Sequence, residues 1–306
     1  MIRGRYAPSP TGSLHLGNAS TALLAWLSVR SRGGRFVLRM EDLDRARVVA
    51  GAADRIVEDL RWLGLDWDEG PVAQSGRGAL YDAAFDRLRA SGLVYPCFCS
   101  RRDIAAAASA PQAPGDELAY PGTCRALPEA AARARIGTGA PHAYRFRVDA
   151  SALEPFEDLV RGRVEPDPDL VGDFVVRRAD GVPAYQLAVV VDDIAMGIGE
   201  VVRGGDLLAS TPRQILLYRA LGAPVPEFAH VPLLLGADGL RLSNRHRGVT
   251  LAEIREAGAS AEAVVGTIAG LLGLAPKGRE MRASSLVPGF SLASIAAAPA
   301  EITVRG

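Results

Sequence analysis

Lysine is nearly absent from this chain of 306 residues. Lys277 is the only one among 35 basic residues, so arginine carries almost all of the positive charge. A phosphate- or carboxylate-binding cation is therefore sought among arginines, whose planar fork suits both groups. Net charge is absent too, because 35 acidic residues balance the basic ones. That argues against a strongly basic nucleic-acid protein, though a local arginine patch can still bind a phosphate backbone. The start, Met1-Ile2-Arg3-Gly4-Arg5, lacks the apolar core of a signal peptide. The longest apolar run, Ala263 to Ala275, is too short and too glycine-rich to span a bilayer. Cysteine is scarce: Cys97, Cys99 and Cys124 fall in one window and cannot all pair within the chain. A reducing, cytoplasmic setting with a metal site fits this better than a disulfide scaffold. No internal repeat is found.

What is present is organised around Arg5-Tyr6-Ala7-Pro8-Ser9-Pro10-Thr11-Gly12-Ser13-Leu14-His15-Leu16-Gly17-Asn18. This reads as a strand entering a Pro/Gly-punctuated loop that delivers a helix, since Leu23, Leu24, Trp26 and Leu27 follow on one helical face. Glycine lets backbone approach a ligand, and a helix start offers free N–H groups and a positive dipole end to phosphate. His15 and Asn18 add donors beside that turn; a surface loop with an incidental histidine has the same spacing.

Arg35-Phe36-Val37-Leu38-Arg39-Met40 reads as a second strand ending at Glu41, Asp42 and Asp44. Strand, glycine loop, helix, strand opens a parallel βαβ unit with its ligand site at the strand ends. Glu41 is then placed beside the His15 loop, although acidic residues after a strand often only cap the next helix. Helices are expected over Asp54–Leu65 and Leu80–Ala90, and strands over Ala143–Val148 and Phe174–Arg178. Ala184 to Val191 is an apolar segment ending at Asp192-Asp193, and Val201 to Asp206 looks like a buried strand. A helix is expected from Thr211-Pro212 and a strand-like run from His230 to Leu235. Arg241-Leu242-Ser243-Asn244-Arg245-His246-Arg247 is a polar loop dense in cations. The tail from Leu251 is helical in pattern and ends irregularly.

Between Cys99 and Cys124, Ile104 to Ala119 is Ala/Pro/Gly-rich and reads as a mobile excursion. A loop closure that gathers three thiols suits zinc, which takes four ligands including soft sulfur. Spacing leaves the fourth ligand open between His142 and Tyr120, and buried free cysteines remain the simpler alternative.

In this order the pieces resemble class I aminoacyl-tRNA synthetases of the glutamyl branch. The opening run, closing in His15-Leu16-Gly17-Asn18, resembles that family's HIGH motif. Tyr185-Gln186-Leu187-Ala188 through Asp192-Asp193, then Arg203-Gly204-Gly205, match its central strands, and Arg241 to Arg245 occupy the place of the KMSKS loop. The stretch after Leu251 is too short for the anticodon-binding domain of full-length glutamyl enzymes. The resemblance is therefore best to the family's truncated branch, the glutamyl-queuosine tRNA(Asp) synthetases. Val189 agrees, falling where full-length enzymes place an asparagine.

The resemblance implies an α/β fold with a Rossmann-type parallel-sheet catalytic domain in two halves, 1–90 and 171–250. It implies an inserted, zinc-bearing α+β subdomain over 91–170 and a short helical region over 251–306. It implies ATP-dependent activation of L-glutamate without tRNA, then transfer to queuosine in the anticodon of tRNA(Asp), by a monomer. Substrate-binding falls to Arg5, Ala7, Ser9, Glu41, Tyr185 and Arg203. ATP-binding falls to Pro8, Gly12, His15, Gly17, Asn18 and Asn244, with Mg2+ on the phosphates. His15, Asn18, Arg241, Ser243 and Asn244 are the catalytic candidates, and Cys97, Cys99, Tyr120 and Cys124 the Zn2+ ligands.

One departure matters. The family's KMSKS loop ends in a lysine that supports pyrophosphate release, and this chain has Asn244 there. An uncharged donor gives up about a few kcal/mol of transition-state stabilisation, unless Arg245 or Arg247 substitutes. An active but slow enzyme is the expectation. The competing readings are a truncated glutamyl synthetase acting on a tRNA 3′ end and a catalytically impaired paralogue that binds tRNA or nucleotide.

Overall fold

The computed structural model describes residues 1–100, 102–104, 120–236, 238–239, 242 and 249–304. Its strands in chain order are β1 (Arg3–Tyr6), β2 (Arg35–Met40), β3 (Glu69–Ala73), β4 (Val94–Cys97), β5 (Ala143–Phe146), β6 (Phe156–Asp158), β7 (Gly162–Val164), β8 (Phe174–Arg177), β9 (Glu200–Gly204), β10 (Glu227–Val231), β11 (Leu233–Leu235) and β12 (Glu301–Thr303). Seven of them form one sheet in the order β3-β2-β1-β9-β10-β6-β7, parallel except for β7, which runs antiparallel to β6. The strand order steps outward from β1 on one side and from β9 on the other. A crevice therefore opens at the carboxyl ends of β1 and β9, where such sheets bind ligands.

Two hydrophobic cores cover the two faces of the sheet. Along β2, Phe36, Leu38 and Met40 enter one core with the Leu16–Arg30 helix and the Ala261–Leu271 helix. Val37 enters the other, with the helices Gly78–Ala90, Tyr185–Ala195 and Thr211–Ala220. Period-two alternation puts Arg39 on the same face as Val37, beneath the Tyr185–Ala195 helix. The first helix packs close enough on β1 that a Cβ on Gly4 would meet Val29 Cγ2 at 2.5 Å.

The expected parallel βαβ opening is present, with β1 and β2 paired from Arg3↔Arg35 to Tyr6↔Leu38. One expectation is overturned: the segment from Tyr185 to Asp193, matched to a central strand, is an α-helix. Apolar runs of this length satisfy either period, and this one lies across the sheet instead of within it. The run from His230 to Leu235 divides at Pro232 into the end of β10 and β11. Pro232 has no backbone N–H for a ladder.

Sheet membership also crosses the sequence divisions. A second sheet, β4-β5-β8, is antiparallel and draws β8 from beyond residue 170, while β6 and β7, within 91–170, join the large sheet. The tail holds helices Leu251–Glu256 and Ala261–Leu271, then β12, which pairs in parallel with β11. The excursion over 105–119 lies outside the described residues.

Candidate active site

A cavity of about 680 Å³ occupies the crevice at the ends of β1 and β9. It is lined by Arg5 from β1, by Ala7, Pro8, Ser9 and Gly12 of the following loop, and by His15, Gly17 and Asn18 at the helix start. Glu41 after β2, Tyr185 in the first turn of its helix and Arg203 of β9 complete the group. Every described residue assigned above to substrate or ATP binding thus faces one space.

The turn at His15 is built by its own side chains. His15 is the N-cap of the Leu16–Arg30 helix, and its Nδ1 accepts the Gly17 N–H at 3.2 Å. Asn18 Oδ1 accepts the His15 N–H at 3.3 Å, closing a capping box. An accepting Nδ1 carries no proton, so a neutral ring keeps its proton on Nε2. Asn18 likewise spends its oxygen on the cap and keeps its amide N–H groups as donors. Glu41 is brought beside this loop by its N–H, which donates to Pro8 O at 3.0 Å.

Arg241, Ser243, Asn244 and the cations Arg245 and Arg247 lie outside the described residues. Their described neighbour Leu242 lines the cavity, and its N–H donates to Leu234 O at 3.3 Å. Just downstream, Leu251 N–H donates to Leu14 O at 2.8 Å, and His15 and Thr250 form a β-bridge. The chain after the polar loop is therefore fastened to the His15 turn, and Leu242 is held to β11.

Behind the cavity the charges are ordered by a buried network that sequence reading did not single out. Arg39 is fully buried, 2.5 Å from Asp193 Oδ1 and 3.2 Å from Glu41 Oε1. Asp193 also lies 3.5 Å from Arg5 Nε and accepts from Tyr218 Oη at 3.3 Å. Burial works to raise the Asp193 pKa, but Arg39 and Arg5 hold it below the usual carboxylate value. Glu41 goes the other way: burial raises it more than Arg39 and Arg5 lower it. Arg203 differs from Arg5 and Arg39 in that no carboxylate lies within ion-pair reach among the described residues. It donates to His230 Nε2 at 2.9 Å, Gln214 Oε1 at 2.7 Å and Thr211 Oγ1 at 2.8 Å. Burial and the like charge of Arg5 lower its pKa from the ordinary value. A buried guanidinium held only by neutral groups is a receptor for a carboxylate. A basic residue inside an apolar strand, as at Arg39, was the available sequence signal; nothing local marked Gln214 or Thr211.

The three thiols are gathered as expected. Cys97, Cys99 and Cys124 have sulfur atoms within 4.8 Å of one another, and Cys99 and Cys124 sulfurs are 3.6 Å apart. Tetrahedral ligands at about 2.3 Å from zinc stand about 3.8 Å apart, so the set fits that ion. Tyr120 Oη is 3.4 Å from Cys97 Sγ and 3.9 Å from Cys99 Sγ. His142, the alternative fourth ligand, instead has Nδ1 3.0 Å from Ala140 O and its ring against Phe98 and Tyr144. Burial and the bond to Cys124 push the Cys99 thiol up to about 11. The cluster ties the end of β4 to the turn at Cys124 and lines no part of the cavity.

Residues 1–285 match the family model of the catalytic domain of class I tRNA synthetases for Glu and Gln (E and Q). The chain belongs to that family, and within it to the group whose members are named glutamyl-Q tRNA(Asp) synthetase. It is 55% identical to the Glutamyl-Q tRNA(Asp) synthetase of Symbiobacterium thermophilum, over 99% of this chain and 96% of that protein. It is 46% identical to Glutamate--tRNA ligase 2 of Alkalilimnicola ehrlichii, of which it spans only 58%. Among solved structures, a glutamate tRNA ligase from Elizabethkingia meningosepticum in complex with its amino acid superposes with a TM-score of 0.84 at 30% identity. That match covers 98% of this chain and 66% of the ligase. The fold is the mixed parallel-sheet α/β fold of such a catalytic domain, and the chain is a synthetase-type enzyme.

Proposed function

We propose that this protein activates L-glutamate with ATP in the absence of tRNA and transfers the glutamate to queuosine in the anticodon of tRNA(Asp). The observation that carries the first step is Arg203, buried at the cavity wall with only neutral hydrogen-bond partners among the described residues and therefore open to an anion. Glutamate brings two carboxylates and one ammonium. Arg203 and Arg5 receive the carboxylates, Glu41 Oε2 the ammonium, and Ser9 and Tyr185 give hydroxyl hydrogen bonds. Arg5 is already shared with Asp193, so Arg203 is the stronger anchor.

An α-carboxylate oxygen then attacks the α-phosphorus of ATP, the bond to the β-phosphate oxygen breaks, and pyrophosphate leaves. Such chemistry needs positioning and charge stabilisation more than proton transfer. His15 Nε2–H, Asn18 Nδ2–H and the helix start donate to the phosphates, with Pro8, Gly12 and Gly17 leaving room for them. Mg2+ accompanies ATP as its counter-ion. In the second step a queuosine ring hydroxyl attacks the glutamyl carbonyl, the acyl–phosphate bond breaks, AMP leaves, and the hydroxyl proton passes to solvent. Arg241, Ser243 and Asn244, which lie outside the described residues, are the remaining catalytic candidates in this reading, as donors to the phosphates. Cys97, Cys99, Tyr120 and Cys124 hold Zn2+ as a structural ion.

The enzyme is proposed to act as a monomer in the cytoplasm. No described helix is long and apolar enough to cross a membrane. Similarity to glutamate–tRNA ligases supports a second reading, transfer to a tRNA 3′ end. Labelled glutamate, ATP and queuosine-containing tRNA(Asp), followed by nuclease mapping, separate the two. Base-labile label on the anticodon fragment is expected; label on the 3′-terminal adenosine would support the second reading instead.

A further inference from the structure

Three adjacent strands of the large sheet carry a side-chain relay that reaches the cavity from outside it. Register pairs Arg203 of β9 with His230 of β10, and Phe228 of β10 with Asp158 of β6. Arg203 Nε donates to His230 Nε2 at 2.9 Å, and His230 Nδ1 lies 2.6 Å from Asp158 Oδ2. His230 and Asp158 are buried. The other Asp158 oxygen accepts three backbone N–H groups, from Val160 at 3.0 Å, Arg161 at 2.9 Å and His230 at 3.1 Å.

These bonds fix the imidazole in one form. A guanidinium N–H can only donate, so His230 Nε2 must be bare and the ring proton must sit on Nδ1, given to Asp158. Thr211 Oγ1, 3.1 Å from the same Nε2, is placed to donate there as well. Burial and the Arg203 charge keep His230 below the ordinary histidine pKa despite the carboxylate beside it, in agreement with a neutral ring. A ring with its proton on Nε2 would set two N–H groups against each other and turn the Arg203 fork.

We propose that Asp158 and His230 are positioning residues for Arg203, selecting the Nδ1–H tautomer that aims its guanidinium at the substrate carboxylate. Glutamate recognition is then set in part from β6, which lies within 91–170 and joins the large sheet. This deepens the glutamate-activation reading and rests on it.

Asp158→Asn tests the relay at constant shape. The oxygen that takes three backbone N–H groups cannot be replaced by an amide nitrogen, so the new NH2 must face His230 Nδ1 and force the wrong tautomer. In glutamate-dependent ATP–pyrophosphate exchange, KM for glutamate is expected to rise about ten- to a hundredfold, with KM for ATP held within about twofold. A general structural defect would move both. The 15N shifts of His230 in the native protein give a second readout: a pyridine-type Nε2 and a pyrrole-type Nδ1 are expected. A pyridine-type Nδ1 in the native protein, or an unchanged KM for glutamate in a folded Asp158→Asn, overturns the proposal. Native protein without glutamate-dependent exchange would fail the glutamate reading instead, while the tautomer result stands independently.

Discussion

Gly17 N–H donates to His15 Nδ1 at 3.2 Å, and a Cβ on Gly17 would stand 3.1 Å from Cε1 of the same ring. The helix position itself accepts alanine, so the constraint comes from the imidazole folded back on the first turn. Gly17→Ala is expected to leave the melting temperature unchanged or slightly higher, since alanine in a helix gains about 0.5–1 kcal/mol over glycine. The ring must shift, and the exchange rate is expected to fall about tenfold as the Nε2–H donor moves off the phosphate. Thermal melts and exchange kinetics on one preparation check both halves.

Glu41→Gln removes the counter-charge for the ammonium while keeping a hydrogen-bond acceptor. KM for glutamate is expected to rise about tenfold or more, with KM for ATP little changed. Burial raises the Glu41 pKa, so its charge is lost on the acid side earlier than that of an ordinary carboxylate. In the native protein KM for glutamate therefore climbs as pH falls, ahead of KM for ATP, and Glu41→Gln loses that acid limb. Initial rates at varied glutamate across the acid range measure it.

Asp193→Asn strips the carboxylate from Arg39 and Arg5 in the buried network. Leaving a buried cation short of its partner costs about 3–5 kcal/mol, read as a lower urea midpoint at neutral pH. The pH dependence has a definite sign. Asp193 and Asp158 have lowered folded pKa values, so their stabilisation is present above the ordinary value of 3.8 and lost as pH falls through the folded value. The gap between native and Asp193→Asn midpoints should therefore shrink in acid.

Much of this was legible in the sequence because the elements that make the crevice are long and strongly patterned. β1, the His15 turn and β2 follow from period and punctuation, and Glu41 from its place at a strand end. The Tyr185–Ala195 helix was misassigned because its Val189-Val190-Val191 core fits a strand as well as a helix. Strands of three residues such as β6 and β12 exist only through their partners, which no local pattern encodes. The same holds for His230: alone in an apolar run it looks like core, and only sheet register brings Asp158 and Arg203 to its two nitrogens.

Zinc content gives a separate check on the thiol cluster. The native protein is expected to carry about one zinc ion per chain, and Cys124→Ser substantially less. Because the cluster lines no part of the cavity, glutamate-dependent exchange is expected to survive better than the stability of the β4-β5-β8 sheet. Elemental analysis, limited proteolysis and exchange kinetics on both proteins distinguish these effects.

The central claim is that the crevice at β1 and β9 activates glutamate without help from RNA. ATP–pyrophosphate exchange without tRNA, run in parallel with glutamate, glutamine and aspartate, tests it most directly. Exchange with glutamate alone, abolished by Arg203→Met, is the predicted result. No exchange with any of the three, or equal exchange with glutamine, would contradict it.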